Sequence, residues 1–348
     1  MRVALIKPPL AGHEQRGTGI YTDQLLSQLK SIPEIEVVFS EFKSIPWGCD
    51  IYHFPYFDPF FLTLPSKIPQ PMVVTVHDVI PLKFSQHFPV GIKGRYKFFL
   101  QKHRVTQARA IITDSHASKL DISTYLGVSP ENIYPIYLAP DPIFTQKIDD
   151  RELKEIRKEL KVPDSFVLYV GDVNWNKNLP TVIKAAKEIN FPLVIVSKTF
   201  SEQDPNSNHR ELQSLKEAQK LAQELSSLLV LSAIKPNYLA ALYQSAVSLV
   251  FPSYYEGFGL PVVEAFASGC PVITTKGGSL GEIVGPAALI TKAQDYHKIG
   301  QYIQEMAVNL KLRKHHIRLG QTQAKRFTWE KTAKETINVY NKILNQYA

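Results

Sequence analysis

Short apolar runs alternate with amphipathic stretches along the whole chain. That alternation is the signature of βαβ units, which build parallel sheets. In the first half the runs RVALIK (2–7), EVVFSEF (36–42), DIYHF (50–54), MVVTVHD (72–78), AIITDS (110–115) and IYPIYLA (133–139) predict strands. Helical periodicity falls over 18–30, 91–109 and 116–126. The series then begins again with FVLYVGD (166–172), PLVIVSK (192–198), LLVLS (228–232), VSLVFPS (247–253), PVITT (271–275) and AALI (287–290). Pro180, Pro236 and Pro261 stand where helices between these strands should open. Proline suits that place because its missing N–H would be unpaired there anyway.

Between the two series lies DPIFTQKIDDRELKEIRKELKVPDS (141–165), charged and poor in large apolar side chains, which puts the expected domain boundary near residue 160. The length of 348 residues suits two domains of ordinary size. The expectation is α/β architecture with two Rossmann-like parallel-sheet domains, 1–160 and 161–326, facing a cleft. An amphipathic C-terminal helix within 327–348 follows, with Thr328 as its N-cap, and packs back on the N-terminal domain. The polar segment 201–208 reads as a surface loop. Parallel α/β domains hold ligands at the carboxyl ends of their strands, so chemistry is sought there.

Composition narrows the class. A hydrophobic content of 44% with 21% charged residues is ordinary for a globular protein with real cores. Cys49 and Cys270 match no metal or redox spacing, and the apolar run ahead of Lys7 is short for a signal peptide. A cytoplasmic protein is expected. The net charge of +8 is unevenly spread. Segment 79–113 has no acid but carries Lys83, Lys93, Arg95, Lys97, Lys102, Arg104 and Arg109, interleaved with Phe84, Phe88, Tyr96, Phe98 and Phe99. A second acid-free stretch spans 306–329 and includes His315 and His316, read as a solvated face. Basic residues with aromatics suit an anionic membrane surface, a phosphorylated substrate or nucleic acid; turned inward, the same aromatics are simply core.

The most informative stretch is SYYEGFGLPVVEAFASGCPVITT (253–275). Glu256 falls in the loop after a buried strand, Pro261 starts the next helix, Glu264 is expected in its first turn, and Gly269 suits its C′ position. Gly257 and Gly259 let the backbone approach a ligand closely. The amides around Phe258, Gly259 and Leu260 can point at an anion, aided by the helix dipole. A carboxylate on each side of such a site can bind sugar hydroxyls without competing for phosphate. Glu264 near a helix N-terminus has a structural explanation of its own; Glu256, set among aromatics and glycines, has none.

Glu256 and Glu264 within EGFGLPVVEAFASGCPVI closely resemble the E-x7-E motif of family 4 retaining glycosyltransferases, which have the GT-B fold. The resemblance implies that Glu256 contacts the donor sugar and Glu264 the ribose of its nucleotide. YVGDVNWNKNLPTVIKAAKEI (169–189) resembles the segment opening the family's C-terminal domain and places Lys177 at its diphosphate-binding lysine, although Asp172 stands where many members carry arginine. GTGIYTDQLL (17–26) resembles the family's glycine-rich loop, which makes Gly17 and Gly19 candidates for close approach to phosphate or acceptor. TVHDVIPL (75–82) puts His77 at a strand's carboxyl end, matching a histidine that contacts the donor sugar near the reaction centre. ITDSHASK (112–119) resembles the next strand and turn, with Ser115 as a helix N-cap.

The resemblance therefore implies metal-independent, cofactor-free transfer of a sugar from a nucleotide-diphosphate sugar to a saccharide or lipid-linked saccharide, with His77 and Glu256 as the catalytic pair. No Asp-x-Asp, H-E-x-x-H, C-x-x-C or Walker A pattern occurs. HDVIPL and GDVNWNKN most resemble mannosyltransferase members, so GDP-mannose comes first as donor, ahead of UDP-glucose and UDP-N-acetylglucosamine. Peripheral association with an anionic inner-membrane surface is expected, and nucleic acid is not. The rivals are an epimerase or phosphorylase of the same fold, and a basic nucleic-acid or membrane-surface binding module.

Overall fold

A computed structural model describes residues 1–9, 17–201, 212–232 and 234–346; most of the expected loop at 201–208 lies outside them. The chain divides into two compact units, Met1–Ala139 with Phe327–Ala348, and Pro140–Arg326.

The first unit contains strands β1 (Arg2–Ile6), β2 (Glu36–Ser40), β3 (Ile51–Phe54), β4 (Met72–Thr75), β5 (Ala110–Thr113) and β6 (Ile133–Pro135). Its helices are α1 (Gly17–Lys30), α2 (Ile80–Lys83), α3 (Ile92–Val105) and α4 (His116–Leu126). The strands pair in the order β2-β1-β3-β4-β5-β6, every neighbour parallel. Ser115 caps α4 as expected, its side chain accepting from the Ser118 N–H at 3.0 Å, and Gly127 ends the helix at φ +74°.

The second unit contains β7 (Val167–Val170), β8 (Leu193–Val196), β9 (Leu228–Leu231), β10 (Ser248–Phe251), β11 (Val272–Thr274) and β12 (Leu289–Ile290). Its helices are α5 (Asp150–Glu159), α6 (Leu179–Glu188), α7 (Gln213–Ala222), α8 (Pro236–Ser245), α9 (Leu260–Ala267), α10 (Leu280–Ile283), α11 (Tyr296–Val308) and α12 (Leu310–Ala324). The sheet order is β12-β11-β10-β7-β8-β9, again all parallel. The residues of β7, β8 and β10 are buried throughout, because helices cover both faces of such a sheet. One face carries Phe166, Leu242, Tyr243, Leu249, Val262 and Phe266. The other carries Val182, Ile183, Ile195, Val250 and Ile303.

The domain boundary falls at Ala139/Pro140 rather than near residue 160. Segment 141–165 has few apolar side chains, but they pack on the second unit. Phe144 is 4% exposed, with Ile143, Ile148 and Leu160 against the same core. Ile148 N–H donates to Gln244 Oε1, and Gln244 Nε2 donates to the Gln146 carbonyl. Asp149 caps α5, accepting from the Arg151 N–H at 2.7 Å. High charge marked the solvent face of a short helix, not a linker.

The chain returns to the first unit through α13 (Trp329–Asn345), capped by Thr328. Its buried face includes Trp329, Ala333, Thr336, Tyr340 and Ile343, spaced for one side of a helix. Tyr340 Oη lies 2.6 Å from His53 Nδ1, His53 Nε2 lies 2.8 Å from Thr75 Oγ1, and Thr75 Oγ1 lies 2.9 Å from Tyr21 Oη. Burial lowers the His53 pKa to about 3, so the ring is neutral and its partners satisfy both nitrogens.

His316 corrects a sequence expectation. It is buried, with Nδ1 2.9 Å from the Ala287 carbonyl, because α12 packs on α9; its neighbour His315 stays exposed.

Candidate active site

In the second unit the chain runs outward from β7 through β8 to β9 and then returns to place β10 on the other side of β7. The carboxyl ends of β7 and β10 thus flank the topological switch point, where parallel sheets open a ligand crevice. Lys177 follows β7 and Glu256 follows β10. Lys177 Nζ donates to Glu256 Oε2 at 2.7 Å and also lies 5.2 Å from the centre of the Phe251 ring. Glu256 is 5% exposed, and its Oε1 is buried with no hydrogen-bond partner among the described residues. A buried carboxylate oxygen without a partner is costly, because its lost hydration is not replaced. One half of this carboxylate is neutralised, and the other half keeps unused capacity to accept a hydrogen bond.

Two side chains that sequence reasoning did not single out hold this geometry. Asn176 Nδ2 donates to the Tyr255 carbonyl. Asn178, at φ +55°, donates to the carbonyls of Pro252 and Ala293. They stitch the loop after β7 to the loop after β10. A third support comes from the turn after β11. Ser279 Oγ donates to the carbonyls of Glu256 and Phe258 at 3.1 and 2.6 Å. A Cβ at Gly277 would stand 2.1 Å from the Tyr254 carbonyl oxygen, and one at Gly278 2.3 Å from that of Glu256. The Gly-Gly-Ser sequence after a strand was the visible signal for this close backbone approach.

Helix α9 begins at Leu260, after Gly259 at φ +104°. In its first turn Pro261 has no N–H and the Val262 N–H donates to the Gly259 carbonyl at 2.9 Å, so the helix start brings the N–H of Leu260 to the switch point. Gly269 follows the helix at φ +75°, as its expected C′ role requires. Glu264 lies in the second turn of α9, not the first, because the helix opens at Leu260, one residue ahead of Pro261. The Tyr243 hydroxyl donates to Glu264 Oε2 at 3.0 Å. Burial pushes the Glu264 carboxyl up to about 7, against the pull of that hydrogen bond. Sequence gave no sign of Tyr243, which reaches Glu264 from α8.

In the first unit, His77 follows β4 and Asp114 follows β5, the neighbouring strand. His77 Nδ1 lies 2.8 Å from Asp114 Oδ2. Burial disfavours the charged ring, but Asp114 outweighs it and raises the His77 pKa above the ordinary value. Burial also raises the Asp114 carboxyl; the pair as a whole therefore holds its proton more tightly than free groups would. Among the described residues His77 Nε2 is buried and completes no hydrogen bond of normal geometry. The edge of Tyr21 meets the His77 ring, with centroids 5.0 Å apart. Gly17 and Gly19 are not in a loop but are the first and third residues of α1.

A model of the family described as "Glycosyl transferases group 1" matches residues 150–344, more than half of the chain. The chain belongs to the group 1 glycosyl transferases. A model of Glycosyltransferase Family 4 matches residues 16–142 of the same chain. This group 1 glycosyl transferase is 26% identical over 296 residues to O-antigen chain mannosyltransferase B of Escherichia coli, covering 83% of this chain and 74% of that protein. It is 29% identical over 304 residues to MMP alpha-(1->4)-mannosyltransferase of Mycolicibacterium hassiacum, covering 81% and 68%. In fold it is similar to sucrose-phosphate synthase from Thermosynechococcus elongatus, with a TM-score of 0.74 at 19% identity over 99% of this chain and 100% of that one. The fold is therefore of the GT-B class.

Two surface properties of the transferase bear on its partners. Ile92, Tyr96 and Phe99 of α3 are 87%, 65% and 72% exposed, and their spacing puts them on one side of the helix. Lys93, Arg95 and Lys97 alternate with them. Phe98 instead turns inward against Phe60, with centroids 6.1 Å apart. Among the described residues no helix is long and apolar enough to cross a membrane, and no group of three His, Cys, Asp or Glu is placed to hold a metal.

Proposed function

We propose that this transferase moves a hexosyl group, with retention, from a nucleotide-diphosphate sugar to a hydroxyl of a saccharide or lipid-linked saccharide. The observation that carries this reading is Glu256: one carboxylate oxygen paired with Lys177, the other buried and without a partner among the described residues at the switch point. In the reading, Glu256 accepts from hydroxyls of the donor sugar and His77 contacts the same sugar. Lys177 and the N–H groups around Phe258, Gly259 and Leu260 take the charge that develops on the departing diphosphate. Glu264 accepts from the ribose hydroxyls, and Gly17 and Gly19 let α1 come close to phosphate or acceptor. The anomeric carbon–oxygen bond to the diphosphate breaks as the acceptor oxygen bonds on the same face, and the leaving phosphate receives the acceptor's proton. No metal or cofactor enters these steps.

The mannosyltransferase names of two relatives favour GDP-mannose as donor; the fold shared with a sucrose-phosphate synthase keeps UDP-glucose as the second choice. The exposed α3 face adds a peripheral position on an anionic membrane to the reading, since apolar side chains among lysines and arginines suit the lipid interface. The decisive experiment incubates the enzyme with GDP-mannose, UDP-glucose and UDP-N-acetylglucosamine in excess EDTA, with and without mannose-terminated acceptors. Acceptor-dependent release of nucleoside diphosphate and an axial-to-axial (α-to-α) product by NMR are expected. Turnover only after manganese or magnesium is added back defeats the metal-free route, and turnover without acceptor favours an epimerase.

A further inference from the structure

A second concave site lies in the same unit as the Lys177–Glu256 pair, and neither of those residues lines it. A cavity of about 260 Å³ is walled by the aromatic rings of Trp175, Tyr254 and Tyr296. Thr181, Lys184, Glu217 and Gln294 add polar groups around it. Trp175 and Tyr254 stack with centroids 4.9 Å apart and planes within 10° of parallel. Stacking turns one face of each ring against the other and fixes the two side chains together, and the loops carrying them are those that Asn176 and Asn178 tie together.

Three properties decide the ligand class. The volume falls just below the roughly 300–1,000 Å³ of pockets for drug-sized ligands, which suits one sugar ring and is small for a whole nucleotide. Lys184, the one cation among the described lining residues, is already paired with Glu217 at 2.7 Å. That pairing disfavours a phosphate or carboxylate ligand and leaves a nearly neutral site. A lining that combines three aromatic side chains with hydroxyl, amide, ammonium and carboxylate groups matches a pyranose, which has an apolar C–H face and a rim of hydroxyls.

We infer that this cavity binds a neutral pyranose unit at a place separate from the donor site. Trp175 is two residues before Lys177, and Tyr254 two before Glu256. A sugar seated against the stack therefore braces the two loops that carry the donor residues. Saccharide binding here extends the transferase reading without depending on it.

The test titrates the full-length protein with mannose, glucose and a mannose disaccharide, with and without GDP, followed by saturation-transfer NMR and tryptophan fluorescence. Millimolar binding that persists when GDP is present is expected. Tighter binding of the disaccharide assigns the site to a glycan chain, and equal binding to a free sugar; both support a pyranose site. Trp175→Ala removes the wall, and Gln294→Trp, at an exposed position, closes the mouth. Each should weaken binding at least tenfold in NMR while leaving the circular dichroism spectrum unchanged. Absence of saccharide binding at millimolar concentration, or wild-type binding by Gln294→Trp, overturns the inference. Absence of sugar transfer by the unmodified protein, with saccharide binding intact, would instead reject the transferase reading of the Lys177–Glu256 site and leave this inference standing.

Discussion

Lys177 Nζ and Glu256 Oε2 stand 2.7 Å apart, so two residues expected to grip different parts of one ligand grip each other. In the function proposed above, Lys177 turns to the diphosphate only by loosening that bond, the sugar hydroxyls take up the carboxylate it leaves, and one ion pair couples the two ends of the donor.

The pair is asymmetric, because the Glu256 side chain is 6% exposed and that of Lys177 20%. Lys177→Ala strands a buried charge and should cost about 3 kcal/mol of stability. Glu256→Ala leaves a lysine that can reach water and should cost clearly less. Denaturant unfolding of the ligand-free variants checks the order. Glu256→Ala should also lower turnover by about 10²–10³-fold while calorimetry finds nucleoside diphosphate binding nearly intact. Equal stability losses, or abolished nucleotide binding in Glu256→Ala, refute the assignment.

Glu264 supplies a pH signature. Its folded pKa of about 7 lies above the ordinary 4.5, so between those values the folded protein holds a proton that the unfolded chain has lost. This contribution makes stability fall as pH rises from 4.5 to 7, by at most about 3 kcal/mol. Glu264→Gln keeps an acceptor for Tyr243 and should flatten that part of the profile. An identical slope in the variant counts against the buried proton.

His77 should titrate above the ordinary histidine value of 6.5, because Asp114 outweighs burial. Its contribution to stability is full below pH 6.5 and is lost as pH rises through the folded pKa. In Asp114→Asn the burial penalty remains without its counterweight, so the midpoint should drop below 6.5. Histidine NMR titration of the two proteins measures this. A midpoint unmoved by the substitution excludes Asp114 as the cause.

For the α3 face, liposome sedimentation should show binding that rises with anionic lipid and falls with salt. Each basic residue at such a surface contributes about 1 kcal/mol. Reversing Lys93, Arg95 and Lys97 together should therefore cut partitioning by more than 10²-fold, and Phe99→Ser should weaken it at high salt. Equal recovery in the supernatant with and without anionic vesicles at low salt defeats membrane docking.

The strands were legible because each is a short apolar run between turn signals, and buried strands differ sharply in composition from the helices around them. The spacing of Glu256, Pro261, Glu264 and Gly269 likewise carried its own structural meaning. Segment 141–165 misled because apolar content in a short amphipathic helix is low on every face but one, and Ile156 with its neighbours sufficed. The partners of the site residues were hidden for a different reason. Tyr243, Ser279 and Asp114 reach them from other elements, and no local pattern reports a contact between distant parts of the chain. His316 was misread because a basic helix has one inward face that its composition does not reveal.

The hydrogen bond between His53 and Tyr340 spans 287 positions, and the whole of the second unit is synthesised between them. At a ribosomal rate of about 5–20 residues per second, roughly 15–60 s separate the two. During that interval the second unit, a contiguous segment ending at Arg326, is synthesised, while the first unit's sheet waits without the helix that packs on it. The half of the protein made first is the half finished last. Its strands therefore have to stay unpaired with other chains until α13 is made, because the packing of the first unit is complete only when that helix is present.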